Sequence, residues 1–322
     1  AKAKAAEEIA DMQKYIDNHG GNFKLAAWDY YYYADKVKTE RFNLSDDQVR
    51  PYFKLENVVK GLFTYSGKLF GITFKELPKA PKYNPEVTGY EVKDAQGKHV
   101  AVFMTDYFPR ATKRQGAWMS EFQSAYNYNG EDIRPIVFNI GNFTKPTKDM
   151  PSLLTIDEVE TAFHEFGHAL HGMLTRAQFR GIAGTNIDRD AVELPSQFSE
   201  NWKFEPWLLS VYAKHYKTGE VIPEELVKKL EASSRFNTGF RTVELCGAAL
   251  LDIEWHKMNY AKDIDVAKFE RAVARRLGLP EEIQFRYRSS YFKHIFGSDQ
   301  YAAGYYTYLW AEVLSSDAAS LF

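Results

Sequence analysis

Apolar and polar positions along the chain change period twice. Up to about residue 70 the apolar residues recur at helical spacing, and the first such run stops at Gly20 and Gly21. This predicts a helix over "AKAKAAEEIADMQKYIDNH", a second over about Leu25 to Arg41, a capping box in "SDDQ" (Ser45 to Gln48), and a helix over about Leu55 to Phe70. Alternation then takes over. "GYEVKDAQGKHVAVFMTDYF" switches faces residue by residue around the turn "DAQGK", which predicts a hairpin over roughly Thr88 to Tyr107, and the β-branched and aromatic "RPIVFNIGNF" predicts a third strand. From Thr155 onward the helical period returns. Thr155 is placed to cap "TIDEVETAFHEFGHALHGML", and further helices are expected over about 190–216, 223–232, 238–260, 265–277 and 299–317. The fold class is therefore mainly α with one small β-sheet (α+β). Residues 1–150 carry helical segments and a sheet at roughly 86–142, and residues 151–322 form a helical region.

Composition narrows the partners. Hydrophobic residues make up 45% of the 322 residues, enough for a sizeable core. Lys and Arg (41) nearly balance Asp and Glu (43), so no net field favours nucleic acid or an anionic membrane surface. No uncharged apolar run approaches the eighteen or so residues of a membrane span. The single cysteine, Cys246, rules out a Cys-rich structural zinc cluster within the chain and suits a reducing compartment such as the cytoplasm. The chain starts without Met, in what reads as the interior of a charged helix, so an N-terminal part is expected to be missing.

The candidate chemistry lies in "TAFHEFGHALH". His164 and His168 are one helical turn apart, about 6 Å along the axis, so their rings can aim at one ion. Glu165 beside them can reach a metal-bound water as general base without being a ligand. His171 lies on nearly the same face but about 10 Å from His164, which assigns it to packing or to a supporting contact. A third ligand must come from elsewhere. In "DRDAVELPSQFSENW" the polar residues Asp190, Glu193, Gln197 and Glu200 recur among Val192, Leu194, Phe198 and Trp202. The central Glu193 is the expected ligand, with Asp190, Glu200 and Glu160 as candidates to orient histidine N–H groups. Two histidines and a carboxylate leave the fourth tetrahedral position open, which is the hydrolytic form of a zinc site.

These stretches resemble the thimet oligopeptidase and peptidyl-dipeptidase family of zinc metallopeptidases. "FHEFGHALHGML" with "GTNIDRDAVELPSQFSENW" carries the resemblance, and "WDYYYYADKV" and "YAAGYYTYLWAEVL" extend it over essentially the whole chain. It implies one zinc ion on His164, His168 and Glu193, with Glu165 as general base. It also implies a zincin-type region forming one side of a deep channel that admits short peptides, so that this chain would be the catalytic half and an N-terminal half the other. Tyr301, Tyr305 and Tyr308 have i, i+4, i+7 spacing, which alone fits core packing. The resemblance instead makes Tyr308 and Tyr301 oxyanion donors and His294 a substrate contact, although "HIFGSDQY" is one residue longer than the family loop. By the same resemblance, "RPIVFNIGNF" is either an ordinary sheet strand or the edge that receives the substrate backbone. The resemblance favours a peptidyl-dipeptidase releasing C-terminal dipeptides, ahead of an endo-acting oligopeptidase. A zinc-stabilised helical or peptide-binding module without turnover is the reading from another class, and Glu165 speaks against it.

Overall fold

The structure, a computed structural model, describes residues 1–259 and 263–322. Four helices come first: α1 (Lys2–Asn18), α2 (Tyr30–Phe42), α3 (Asp46–Val49) and α4 (Leu55–Phe70). The strands follow as β1 (Thr73–Glu76), β2 (Thr88–Lys93), β3 (His99–Asp106), β4 (Trp118–Gln123), β5 (Tyr126–Tyr128), β6 (Glu131–Ile133) and β7 (Ile136–Ile140). The rest is helical: α5 (Ile156–Leu174), α6 (Arg189–Val192), α7 (Leu194–Glu200), α8 (Pro206–Tyr212), α9 (Glu224–Ser234), α10 (Thr238–His256), α11 (Val266–Leu277), α12 (Lys293–Phe296) and α13 (Thr307–Ala319). The chain folds into two compact units, one of Ala1–Ser45 with Glu225–Trp310, the other of Asp46–Glu224 with Ala311–Phe322.

In the first unit α1 packs on α10 through Ala5, Glu8, Met12 and Ile16, one stripe at helical spacing. The buried acid in that stripe has a reason. Asn237 before α10 offers no side-chain cap, and Glu8 accepts hydrogen bonds from the backbone N–H groups of Gly239 (3.0 Å) and Phe240 (2.8 Å). Its charge thus satisfies first-turn donors at the positive end of the helix dipole. Tyr30 stacks on Phe240 with ring centroids 4.1 Å apart. The second helix starts at Tyr30 rather than near Leu25; in the segment before it Gln13 accepts from the Leu25 N–H (2.8 Å) and Asp29 from the Ala26 N–H (3.1 Å). The helix expected over 238–260 ends at His256, and the expected terminus at residue 260 lies outside the described residues.

The second unit is built on a five-stranded sheet in the order β1-β2-β3-β7-β4, with β3 and β7 parallel and the other pairs antiparallel. α5 lies across β3, β7 and β4. Its Phe166 meets Phe103 of β3 with centroids 5.5 Å apart, and Phe63 of α4 stacks on Phe74 of β1 at 4.0 Å. Phe103, Phe163 and Phe166 are fully buried, each contributing roughly 1.5–3 kcal/mol of apolar burial. The expected hairpin is β2–β3. β1, β4 and the β5–β6 ribbon have no counterpart in the sequence reading, since each is short and weakly alternating. Of the two readings of "RPIVFNIGNF", the ordinary strand holds and the substrate edge is overturned: it supplies β7, which is flanked by β3 and β4, so both its edges are taken and it cannot receive a substrate strand. β4 is the edge strand on that side of the sheet.

An ion-pair cluster ties down the end of β3. Asp106, 1% exposed, accepts from Tyr83 Oη (2.6 Å), Arg110 (2.8 Å) and Lys113 Nζ (2.9 Å). The same buried ammonium also donates to the Phe108 and Gly141 carbonyls, at 2.7 Å each. Burial pushes the Asp106 carboxyl up, but these donors outweigh it and hold the group below its usual range. With the folded value depressed, the stabilisation is present above about pH 4 and is lost as pH falls through the folded value. Asp106→Ala strands Lys113 as a buried charge and should cost about 3–5 kcal/mol at neutral pH. Denaturant melts at a series of pH values check this. Unchanged stability, or an acid limb as steep as in the unsubstituted protein, would count against it.

Candidate metal centre

α5 begins with a complete capping box, in which Thr155 Oγ1 accepts from the Glu158 N–H (3.1 Å) and the Glu158 carboxylate accepts from the Thr155 N–H (2.8 Å). Two turns later His164 and His168 point the same way, with ring centroids 5.0 Å apart and planes at 84°. The helix expected over 190–216 is broken. Pro195 and Pro206 each begin a new helix, and Glu193 sits at the junction of α6 and α7 rather than on one continuous stripe. The break places the 1%-exposed Glu193 carboxylate against both imidazoles: its Oε2 lies 3.3 Å from His164 Nε2 and 3.1 Å from His168 Nε2.

α7 can come this close because residue 167 is glycine. A Cβ there would lie 2.5 Å from the Pro195 carbonyl oxygen and 2.7 Å from Ser196 Cα, so any side chain would push α7, and Glu193 with it, away from α5. Ser199 Oγ on α7 donates to the Phe163 carbonyl (2.7 Å). Asn139 of β7 donates to the Glu165 carbonyl (2.7 Å) and pins α5 to the sheet. Ser196 Oγ donates to Glu193 Oε2 (2.9 Å). Sequence reading missed Gly167, Asn139, Ser196 and Ser199, which carry no spacing signal.

The three donor atoms fit a zinc ion. Two ligands at about 2.0–2.1 Å in a tetrahedral shell are separated by roughly 3.3 Å, and both histidine-to-Glu193 separations are close to that. His164, His168 and Glu193 form a group whose ligand atoms all lie within 4.8 Å of one another, and His171 is not part of it. His171 Nδ1 is buried, and its ring borders an apolar cavity of about 340 Å³ with Gly167, Leu170, Phe198 and Trp202. Burial pushes the Glu193 carboxyl up, but the His164 and His168 hydrogen bonds dominate and hold it well below its usual range. Of the carboxylates expected to orient a histidine, Glu200 accepts from His164 Nδ1 at 2.7 Å, which directs Nε2 toward Glu193. Glu160 pairs with Lys203 instead (2.8 Å), and Asp190 lies in the first turn of α6. Glu165 stays out of the ligand trio. It is 8% exposed, and burial raises its pKa against the opposing His164 and His168 charges and the smaller pull of the Met119 backbone N–H of β4.

The family model for peptidase family M3 matches residues 1–322. The chain belongs to peptidase family M3. The M3 chain is 42% identical to the dipeptidyl carboxypeptidase of Escherichia coli K12 over its whole length and 47% of the relative's. It is 37% identical to oligopeptidase A of the same strain (100% of this chain, 48% of the relative), and 39% identical to organellar oligopeptidase A of Arabidopsis thaliana (99% and 41%). The chain thus spans about half the length of the curated relatives it matches. M3 is a family of metallopeptidases that are in general zinc-dependent, in keeping with this donor set. No described helix is long and apolar enough to cross a membrane.

His294, Tyr301, Tyr305 and Tyr308 of the M3 chain lie in the first unit. The helix expected from 299 begins only at Thr307, because Ala303 takes a left-handed conformation (φ 56°) and Tyr301 to Tyr306 run as turns. A shared helix face therefore does not bring the three phenols together, and the turn does. Tyr301 and Tyr308 stack with centroids 5.8 Å apart and planes at 3°, and His294 lies edge-on to Tyr301 (5.7 Å), Tyr305 (5.4 Å) and Tyr308 (6.4 Å). Tyr305, 2% exposed, packs on Phe292 in the core. Burial lifts its phenol far above the usual range.

Proposed function

We propose that the protein containing this chain hydrolyses short peptides with one zinc ion held by His164, His168 and Glu193. The observation that carries this reading is the convergence of two imidazoles and one buried carboxylate beside a fourth, non-coordinating acid. Bound zinc supplies Lewis-acid polarisation of the scissile carbonyl and makes water more acidic. Glu165, with its raised pKa, accepts the proton of the attacking water and delivers it to the departing amine. Glu200 keeps His164 in the tautomer that leaves Nε2 free to bind.

The substrate backbone adds to the edge of β4, since the β7 edge that the resemblance offered as one of two readings is closed. Support comes from β4's terminal place in the sheet and the pull of its Met119 N–H on Glu165. Tyr308 and Tyr301 donate to the oxyanion and His294 contacts substrate, a reading that rests on the family resemblance and on the clustering of these rings. Tyr308→Phe should lower kcat about 100-fold with KM nearly constant. Unchanged kcat would return Tyr308 to packing. The two parts of the sequence form one catalytic unit, with the remainder of the protein supplying the opposite channel wall. A cytoplasmic location fits the lone Cys246.

Release of C-terminal dipeptides is the favoured mode, since the 42%-identical relative is named a dipeptidyl carboxypeptidase; the oligopeptidase A relatives keep endo-cleavage as the second reading. The test is the full-length protein on one peptide as free acid and as C-terminal amide, with and without a chelator. The expected result is chelator-sensitive cleavage of the acid at more than about tenfold the rate of the amide, the range a buried charge contact supplies. Equal rates would remove the dipeptidase mode, and chelator-insensitive cleavage would remove the metal centre.

A further inference from the structure

The turn that carries Tyr301 and Tyr305 is held by a residue to which no role has yet been assigned. Asp252, on α10, is one of two acids in the run "CGAALLDIEW" and is 0% exposed. A carboxylate so placed needs donors. Its Oδ1 accepts from the Ala303 N–H and its Oδ2 from the Tyr305 N–H, both at 2.9 Å. His256, one helical turn along α10, places its Nδ1 2.9 Å from the Asp252 backbone carbonyl and 2.7 Å from Asp252 Oδ1, and its ring stacks on Phe296 at the end of α12.

The two backbone bonds land on the strained part of the chain. Ala303 is a non-glycine residue at φ 56°, a conformation that persists only where its surroundings over-determine it. With both oxygens of one carboxylate holding residues 303 and 305, the peptide units between Tyr301 and Tyr305 have one arrangement. That arrangement sets where α13 begins, and so the rotation of Tyr308 relative to Tyr301. Ala248, Ala249, Phe292 and Ile295 complete the floor beneath these rings.

We propose that Asp252 is a positioning residue for the reaction, fixing the Ala303–Tyr305 turn so that the Tyr301 and Tyr308 hydroxyls are presented as a preorganised pair of donors. This rests on the oxyanion reading of those tyrosines. Preorganisation shows in kcat rather than in ground-state binding, because the donors are used fully only as charge develops.

The test uses the full-length protein and the isosteric Asp252→Asn, whose amide can accept from only one of the two N–H groups without presenting its own donor to the other. Amide exchange at Ala303 and Tyr305 should speed up relative to the α10 core, kcat should fall about tenfold, and KM should stay within about twofold. In a Tyr301→Phe/Tyr308→Phe background the same Asp252→Asn change should leave kcat within about twofold, because the group it positions is gone. Unchanged exchange at 303 and 305 overturns the clamp itself, and a tenfold loss that persists undiminished in the Phe background overturns action through the tyrosines. If the Phe pair alone leaves kcat unchanged, the oxyanion reading fails and the positioning role with it. The exchange data then still show whether Asp252 holds the turn.

Discussion

Glu165→Gln leaves the metal in place and removes about 10²- to 10⁴-fold of kcat, the share a positioned general base supplies. The substitution keeps the side chain's size in a site that is 8% exposed, so neither His164 nor His168 needs to move. It also removes a carboxyl that burial holds above its usual pKa. A carboxyl whose folded value is raised detracts from stability once pH exceeds the unfolded value, so at neutral pH the metal-free Gln variant should melt no lower than the unsubstituted protein. Metal content per chain, kcat and thermal melting together check this. Retention of activity within a few-fold would show that another group takes the proton, and loss of metal would show that Glu165 belongs to the ligand shell.

Glu193→Ala has the opposite signature: it loses metal and activity together. The carboxylate is the acceptor shared by His164 and His168 and the only donor to the group of three that does not come from α5. Its removal should weaken zinc by well over the 10- to 100-fold typical of a supporting residue, a range that Glu200→Ala, acting through His164 Nδ1, should itself show. Glu160→Ala, which breaks only the pair with Lys203, should leave affinity unchanged. Competition against a chelator of known affinity ranks the three. If Glu200→Ala proved as damaging as Glu193→Ala, the ligand and its support would have to be exchanged.

The two variants separate what α5 provides alone from what it provides with α7. Glu165 and the histidines take their relation from neighbouring positions on one helix, whereas Glu193 reaches them only because Gly167 lets α7 settle against α5. That difference also marks how far the sequence could be read. α4 spans Leu55–Phe70 as its periodicity predicts, and Thr155 starts α5 as the cap expected there, since each rests on contacts within four residues. The stripe from Asp190 to Glu200 is a different matter. Its helical spacing is real, but Pro195 cuts it, and the cut turns Glu193 inward while Glu200 supports His164 from two turns further on.

The tyrosines show the same limit. The i, i+4, i+7 spacing of Tyr301, Tyr305 and Tyr308 predicts one helix face. The chain instead turns at Ala303, a conformation no local propensity favours and which the Asp252 carboxylate holds from 51 residues earlier in the chain. The edge strand was equally hidden, because β7 carries the strong β signal while the weakly alternating β4 pairs outside it. By itself the sequence determined the helix-rich class, the capped histidine helix, and the one-turn spacing of His164 and His168 with Glu165 beside the first, all set by backbone periodicity and first-turn hydrogen bonds. Only the tertiary structure decided which carboxylate meets the imidazoles, which strand is the edge and how the phenols are grouped. Those depend on close approach between segments far apart in the chain, where packing and the burial of charge outweigh any local preference.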